Sequence, residues 1–485
     1  MQKVWSISGR SIAVSALALA LTACQSMRGP EPIAQADIPT GYIGSTTGPS
    51  VAEQGYKDFF ADQRLVQVIE LALANNRDLR TATLNIQRAQ QAYQISENNQ
   101  LPTIGASGSV LRQDTLSSSK PMTTYNVGLG VTAYELDFWG RVRSLKDNAL
   151  DSYLATQSAR DATQISLIGQ VAQAWLSYSF ANANLKLADQ TLKAQLESYN
   201  LNKKRFDVGI DSEVPVRQAQ ISVETARNDV ANYKTQLAQA QNLLNLLVGQ
   251  PVPANLLSPQ PVKRITQSTA LTAGLPSDLL NNRPDVRAAE YQLSAAGANI
   301  GAAKARLFPS ISLTGNAGYA STDLSDLFKS GSFVWAVGPS IDLPIFDWGT
   351  RRANVKISET DQKIALSDYE KTIQTAFREV NDALAVRENI GDRLAAQRRL
   401  VDATNTTYKL STARFRAGID NYLTVLDAQR TSYSAEQGLL LLEQANLNNQ
   451  VEVYKTLGGG VKANTTDQVV KQPSSSDVKY NKTAN

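Results

Sequence analysis

Two stretches of this sequence carry the same landmarks in the same order, 206 to 209 residues apart. Asn75-Asn76-Arg77-Asp78-Leu79-Arg80 returns as Asn281-Asn282-Arg283-Pro284-Asp285-Val286-Arg287, Leu101-Pro102 as Phe308-Pro309, and Trp139-Gly140-Arg141 as Trp348-Gly349-Thr350. Arg205-Phe206-Asp207-Val208-Gly209-Ile210-Asp211 returns as Arg414-Phe415-Arg416-Ala417-Gly418-Ile419-Asp420, and Val248-Gly249 as Leu457-Gly458. The period is far longer than a solenoid unit, so the chain is a duplicated module. It divides into a leader (1–23), an extended strap (24–60), a first repeat (61–250), a linker (251–270), a second repeat (271–458) and a tail (459–485) whose Gly, Ser and polar content reads as disordered.

Each repeat holds one very long helix candidate. Arg141 to Val208 contains no proline and only Gly169, and Thr350 to Ala417 no proline and only Gly391. At 1.5 Å per residue such a helix reaches roughly 100 Å. Apolar residues recur every seven positions at Val171, Tyr178, Leu185, Leu192, Tyr199 and Phe206, with Ala174, Ala181 and Ala188 between them; Leu394, Val401, Tyr408 and Phe415 repeat the row, and Arg387 interrupts it. A sustained heptad predicts left-handed supercoiling, and the alanines permit close approach. Gly209 and Gly418 can take the left-handed backbone that stops a helix. Return helices follow over Val216–Val248 and Asn421–Leu457.

Between the helices lie short alternating segments. Tyr125, Val127, Leu129, Val131 and Ala133 share one parity, as do Ile104, Ala106 and Val110, then Ile311 and Leu313, then Phe333, Trp335, Val337 and Ile341. Asp114–Thr124 and Ser321–Ser332, rich in Ser, Thr, Lys and Asp, read as turns in water. Period two with one apolar face fits membrane strands and equally a soluble sandwich.

The leader favours the membrane. Lys3 and Arg10 precede an apolar run from Ile12 to Leu21, then Leu21-Thr22-Ala23-Cys24. This is an export signal, too short to span a bilayer permanently. The box resembles the bacterial lipoprotein cleavage site, which makes Cys24 the lipidated first residue; each buried acyl CH₂ contributes about 0.8 kcal/mol of anchoring. Gln25, rather than an aspartate, follows and points to the outer membrane. Beyond residue 24 no run of 18 apolar residues occurs. Any crossing must therefore be made by strands.

Four strands cannot close a transmembrane barrel, and an open sheet would leave edge amides unpaired in lipid. Copies must pool their strands. Two would fill the lumen with side chains; three would give twelve strands and an open bore.

Composition removes other classes. The chain has no histidine and one cysteine, so imidazole ligands, His-based bases and disulfides are excluded. Loss of the leader leaves 46 basic against 44 acidic residues, with no basic–aromatic cluster to suggest nucleic acid. No nucleophile motif, phosphate loop or metal cluster supports an enzyme, and no cofactor is expected.

The lipoprotein box, the duplicated helix–hairpin–helix module, the Trp-Gly turns and the paired Arg-Phe-x-x-Gly-Ile-Asp turns resemble the outer-membrane efflux protein family, in particular the lipidated drug-efflux branch of TolC-like channels. The likeness runs from about Phe60 to Gly458. It implies a mainly α, mixed α/β fold: a trimeric β-barrel of four strands per copy, a periplasmic α-helical barrel and an equatorial belt. It further implies a homotrimer acting as passive exit duct for drugs delivered by an inner-membrane resistance-nodulation-division transporter through a periplasmic adaptor. A structural coiled-coil lipoprotein, or the duct of a protein-secretion or metal-efflux system, are the alternatives.

An idle duct needs a gate. Leu423 and Asp427 are four apart and share a helix face, with Asp420 three before. Threefold symmetry would make an apolar ring and acidic rings. The resemblance carries the periplasmic constriction onto Leu423 and Asp427 and a closed-state tether onto Arg430. Asp420 enters from its position, where the TolC branch has arginine; Asp211 and Gln220 are the first-half counterparts. Asp211 and Asp420 could instead cap the return helices. The turns at Gly209, Ile210, Asp211 and at Gly418, Ile419 form the tip that an adaptor would meet.

Overall fold

The computed structural model describes residues 27–35, 51–114, 121–258, 260–267 and 276–461. Cys24, the leader and residues 462–485 of the tail lie outside the described residues. In chain order the elements are α1 (Tyr56–Phe59), α2 (Gln63–Asn75), α3 (Arg77–Asn98), β1 (Ile104–Gln113), β2 (Met122–Glu135), α4 (Arg141–Asp207), α5 (Glu213–Val248), α6 (Pro276–Asn282), α7 (Pro284–Ala305), β3 (Ser310–Ser321), β4 (Phe333–Asp342), α8 (Thr350–Arg416) and α9 (Tyr422–Thr456). The two long helices are unbroken, at 67 residues each. Two compact units share the chain, each drawing on both repeats: residues 1–35, 84–157 and 288–371 in one, and 36–83, 158–287 and 372–485 in the other.

The first unit holds one antiparallel sheet in the order β1-β2-β3-β4. Its register gathers most of the large apolar residues of the four strands onto one face, with Leu111, Met122 and Val334 on the other. Val127 stands opposite Gly108 and Tyr319, Tyr319 opposite Phe333, and Ile311 opposite Ile341. Residues directly opposite share a face. Ile104, Val110, Tyr125, Leu129, Leu313, Trp335 and Val337 therefore lie on the side of Val127. Gly105, Ser107, Asn126, Gly128, Asn316 and Ser340 lie on the other. Gly128 faces Gly318 across the strands, where an added Cβ would come 2.8 Å from the Ala317 carbonyl oxygen.

The alternation of β2 ends earlier than its sequence suggests. The register shifts between Val131 and Tyr134, and Ala133 has φ 52°. This bulge removes Ala133 from the apolar row and puts Tyr134 opposite Leu313, keeping an aromatic on the apolar face. β1 and β4 are edges with no partner among the described residues.

Helices leave the sheet from capped turns. Asp137 accepts hydrogen bonds from the amides of Val142 (3.0 Å) and Arg143 (2.9 Å), and Asp347 from those of Gly349 and Arg351. These carboxylates satisfy donors that the first helical turn leaves unpaired. Trp139 stacks on Phe308 at 4.7 Å and donates to the Pro309 carbonyl, whereas its counterpart Trp348 is exposed.

The second unit explains the repeated Asn-Asn and Gly landmarks. Gly249 and Gly458 end α5 and α9 with positive φ, where an added Cβ would lie 2.5 Å from the Asn75 carbonyl oxygen and 2.6 Å from that of Asn282. Only glycine admits both the backbone conformation and the approach. Arg283, buried, pairs with Asp285 (2.6 Å) and Glu379 (2.9 Å) and donates to the Thr456 carbonyl.

Two sequence expectations, for the strap and the tail, need correction in this unit. The end of the strap is folded rather than extended, with Phe59 and Phe60 buried against Tyr454 and Phe60 bridged to Thr266. The linker is packed too, because the Leu256 carbonyl accepts from buried Trp175. The start of the tail is buried, since Gly459 and Gly460 take left-handed turns and Tyr454 donates to the Gly459 carbonyl at 2.6 Å. In each case a buried aromatic holds a segment whose own composition is neutral.

Burial along α4 selects one heptad row. Ala174, Ala181, Ala188, Gln195 and Asn202 are buried, while Tyr178, Leu185, Leu192 and Tyr199 are half-buried. From Ala174 onward the small residues make the tight seam and the large ones flank it, while Val171 at the head of the large row is itself buried.

Candidate gate at the helix turns

Both helix turns are built alike. Gly209 and Gly418 each have φ 75°, with nothing near the position of a Cβ, so conformation alone demands glycine there. The amides of Gly209 and Ile210 return to the carbonyls of Phe206 and Arg205, and those of Gly418 and Ile419 to Phe415 and Arg414. This pair of backward bonds closes each helix.

An arginine then ties each turn. Arg205 Nε donates to Asp211 Oδ2 at 2.5 Å, and Arg414 grips Asp420 with Nε (2.6 Å) and a terminal nitrogen (2.9 Å). The Arg414 guanidinium holds the Asp420 carboxyl below its ordinary range. Neither aspartate caps the return helix. That position belongs to Ser212 and to Asn421, whose side chain accepts from the Thr424 amide at 3.1 Å. Asp420 thus carries a charge already matched by Arg414 of its own subunit.

The turns differ in packing. Phe415 is 6% exposed and joins Ala219, Tyr422, Val425 and Leu426 in a core flanked by Tyr199 and Tyr408, with the Arg205 guanidinium over its ring at 5.1 Å. Phe206, its counterpart, is 41% exposed. The heptad row places both inward; only the second goes. α9 opens with Tyr422, which covers Phe415, whereas α5 opens with Glu213, which pairs with Arg217 instead. Burial pushes the Tyr422 phenol up to about 12, and its hydroxyl finds no partner among the described residues.

On α9, Tyr422, Val425, Leu426 and Gln429 face the core, while Leu423, Asp427 and Arg430 are exposed along one side. Leu423 is 56% exposed. Asp427 and Arg430 form no ion pair among the described residues. The structure thus brings three of the four candidate gate residues onto one open stripe and sets Asp420 apart. Gln220 does not join them, because it accepts from Arg217 on its own helix at 2.9 Å.

Sequence reasoning missed the arginines, although both copies of the turn keep Arg and Asp six residues apart. It also missed the clasp above the turns. Tyr433 donates to Asp229 (3.2 Å) and Gln437 to the Tyr233 hydroxyl (2.9 Å), joining α9 to α5. Asn405 bonds Ser432 (2.5 Å) and Glu436 (2.9 Å), joining α8 to α9. Burial first, then Asp229, raises the Tyr433 phenol. Long-range pairs of this kind leave no local signature.

Comparison with known proteins gives concordant results. A family profile described as outer membrane efflux protein matches residues 68–250 and 275–459, one match per repeat. The chain is 44% identical over 442 residues to the antibiotic efflux pump outer membrane protein ArpC of Pseudomonas putida, covering 89% of this chain and 91% of that protein. It is 39% identical over 408 residues to the cation efflux system protein CusC of Escherichia coli, covering 84% and 89%. The open-state MtrE outer membrane channel of Neisseria gonorrhoeae superposes with a TM-score of 0.83 at 38% identity, over 90% of this chain and 99% of that one.

Proposed function

The chain belongs to the outer membrane efflux protein family, and from that membership we propose that it serves as the exit duct of a tripartite pump. It is an efflux protein of the outer membrane, spanning that membrane and reaching into the periplasm. The finer reading is a homotrimer with twelve pooled strands, docked by its helix turns on a periplasmic adaptor and through it on an inner-membrane transporter of the resistance-nodulation-division type. It releases antibiotics and other small toxic compounds, as the ArpC likeness suggests. CusC, a relative named for cations, marks metal efflux as the second reading. The chain's Met27 and Met122, the only methionines after the leader, offer no thioether cluster for soft metals.

One observation carries the trimer. The sheet has an apolar face and two open edges, and the helices adjoining those edges expose apolar residues. Leu84 and Ile95 lie exposed on α3, which leads into β1; Ile357 and Ile364, seven apart, lie exposed on α8, which leaves β4. An edge in lipid is untenable, and a heptad stripe in water calls for a partner. The edge with α3 of one copy meets the edge with α8 of the next, a head-to-tail contact that closes as a ring.

Leu423, Asp427 and Arg430 form the idle gate, with Leu423 as the apolar ring and Asp427 as the charged one. Gly209, Ile210, Asp211, Gly418 and Ile419 form the adaptor-facing tip. Cys24 bears the lipid. Native mass spectrometry and planar-bilayer conductance on detergent-purified protein test the duct. A trimer that conducts at low unit conductance is expected, and a stable, non-conducting monomer would overturn it.

A further inference from the structure

The segment joining β3 to β4 has the Ser, Asp and Lys content of a turn in water, yet it is folded and leans to one side. A 3-10 turn spans Leu324–Asp326, and the amides of Asp326, Lys329 and Ser332 bond back to Asp323, Asp326 and Lys329 at 3.1, 3.1 and 3.3 Å. Ala320 donates to the Ser332 carbonyl at 2.9 Å, closing the segment onto β3, and Lys329 pairs with Asp326 at 2.5 Å. Leu327 is buried. Leu324 and Phe328 are not, at 64% and 72% exposed.

Ring contacts decide which way Phe328 faces. Phe328 meets Tyr319 edge-on at 5.5 Å, and Tyr319 meets Phe333 edge-on at 5.8 Å. Tyr319 and Phe333 stand opposite one another on the sheet face that also carries Val127 and Trp335. Phe328 therefore continues the apolar face, not the polar one. The charged Asp323, Asp326 and Lys329 alternate with Leu324 and Phe328 along the loop, as on any surface that meets both headgroups and acyl chains.

We infer that residues 322–332 form a membrane foot that seats Leu324 and Phe328 among the acyl chains of the outer leaflet, beneath the headgroups. The inference rests on the sheet spanning the outer membrane with its apolar face to lipid. Tyr319, an amphipathic ring near the end of a membrane strand, fits the interface, and Phe328 packs edge-on against it. The loop's internal hydrogen bonds make the placement a property of the fold.

Spin labels at Phe328→Cys, Leu324→Cys and, as a control, Ser325→Cys test this in phosphatidylethanolamine–phosphatidylglycerol proteoliposomes of the full chain. Labels at 324 and 328 should collide several times more often with oxygen than with a water-soluble nickel chelate, and the label at 325 should do the reverse. Equal access of the chelate at 325 and 328 overturns the foot. So does a label at 328 shielded from both reagents and broadened by neighbouring spins, which would place it between subunits. Conductance of the same vesicles reports separately on the duct: water-exposed labels in a conducting preparation sink the foot alone.

Discussion

At the scale of single residues, the division of labour between Asp420 and Asp427 is the sharpest result. Asp420 is neutralised within its own turn by Arg414, while Asp427, exposed on the stripe with Leu423, has no ion-pair partner among the described residues. Asp427→Ala should therefore weaken the cation preference of the channel, read as a shift of reversal potential in a salt gradient. Asp420→Ala should leave that potential nearly unchanged and instead loosen the turn, seen as faster proteolysis there. Equal shifts from both would contradict the assignment. Tyr422 yields a second prediction. Its phenol, raised to about 12, keeps its proton while an unfolded tyrosine ionises near 10. The neutral phenol adds no pH-linked stability below pH 10, and stability falls as pH climbs from 10 toward 12, where only the unfolded tyrosine ionises. Tyr422→Phe removes a buried hydroxyl with no partner among the described residues and should be neutral or stabilising by about 1 kcal/mol in thermal unfolding, abolishing that alkaline loss. A clear destabilisation at pH 7 would mean that the trimer supplies the missing partner.

At the scale of elements, four glycines punctuate the repeats for two different reasons. Gly209 and Gly418 need only the left-handed backbone, so Gly418→Ala should cost about 1–2 kcal/mol. Gly249 and Gly458 also face a carbonyl oxygen at 2.5 and 2.6 Å, so the same change there must move the backbone and should cost clearly more. Melting temperatures of the Gly418→Ala and Gly458→Ala variants decide it, and equal losses would refute the steric argument. The seam of α4 makes a similar point. A heptad shows that a helix has a partner, but two rows at that spacing compete, and the closer approach allowed by alanine gives the buried place to Ala174, Ala181 and Ala188.

For the whole molecule, assembly follows from what a single copy leaves uncovered. Ile364→Asp alters a residue exposed in one subunit, so helix content by circular dichroism should be kept while the trimer dissociates in native mass spectrometry. A trimer of undiminished stability would remove α8 from the contact. The two units also show why the repeat boundaries are not structural boundaries: each unit takes segments from both halves of the chain. A duplicated chain whose long helices run through both units cannot be divided at the midpoint of its sequence.

The duplication, the helices of 67 residues, their glycine stops and the parity of the strands up to Ala133 in β2 were legible in the amino-acid order, because helix continuity, chain reversal and pleat depend on residues near one another along the chain. That Leu423 and Asp427 share a face was legible for the same reason, being a matter of helical spacing, whereas Arg430 came only through the resemblance and Asp420, expected near that face, is tied back to Arg414. Tertiary structure alone decided the rest. It matched four strands so that their apolar sides coincide, with a bulge at Ala133 that no pattern announced. It buried Phe415 and left Phe206 outside, and it gave Asp420 to Arg414. These outcomes depend on which atoms meet after the chain has turned back on itself, and two copies of one motif part ways there because their neighbours, Tyr422 and Glu213, are not the same.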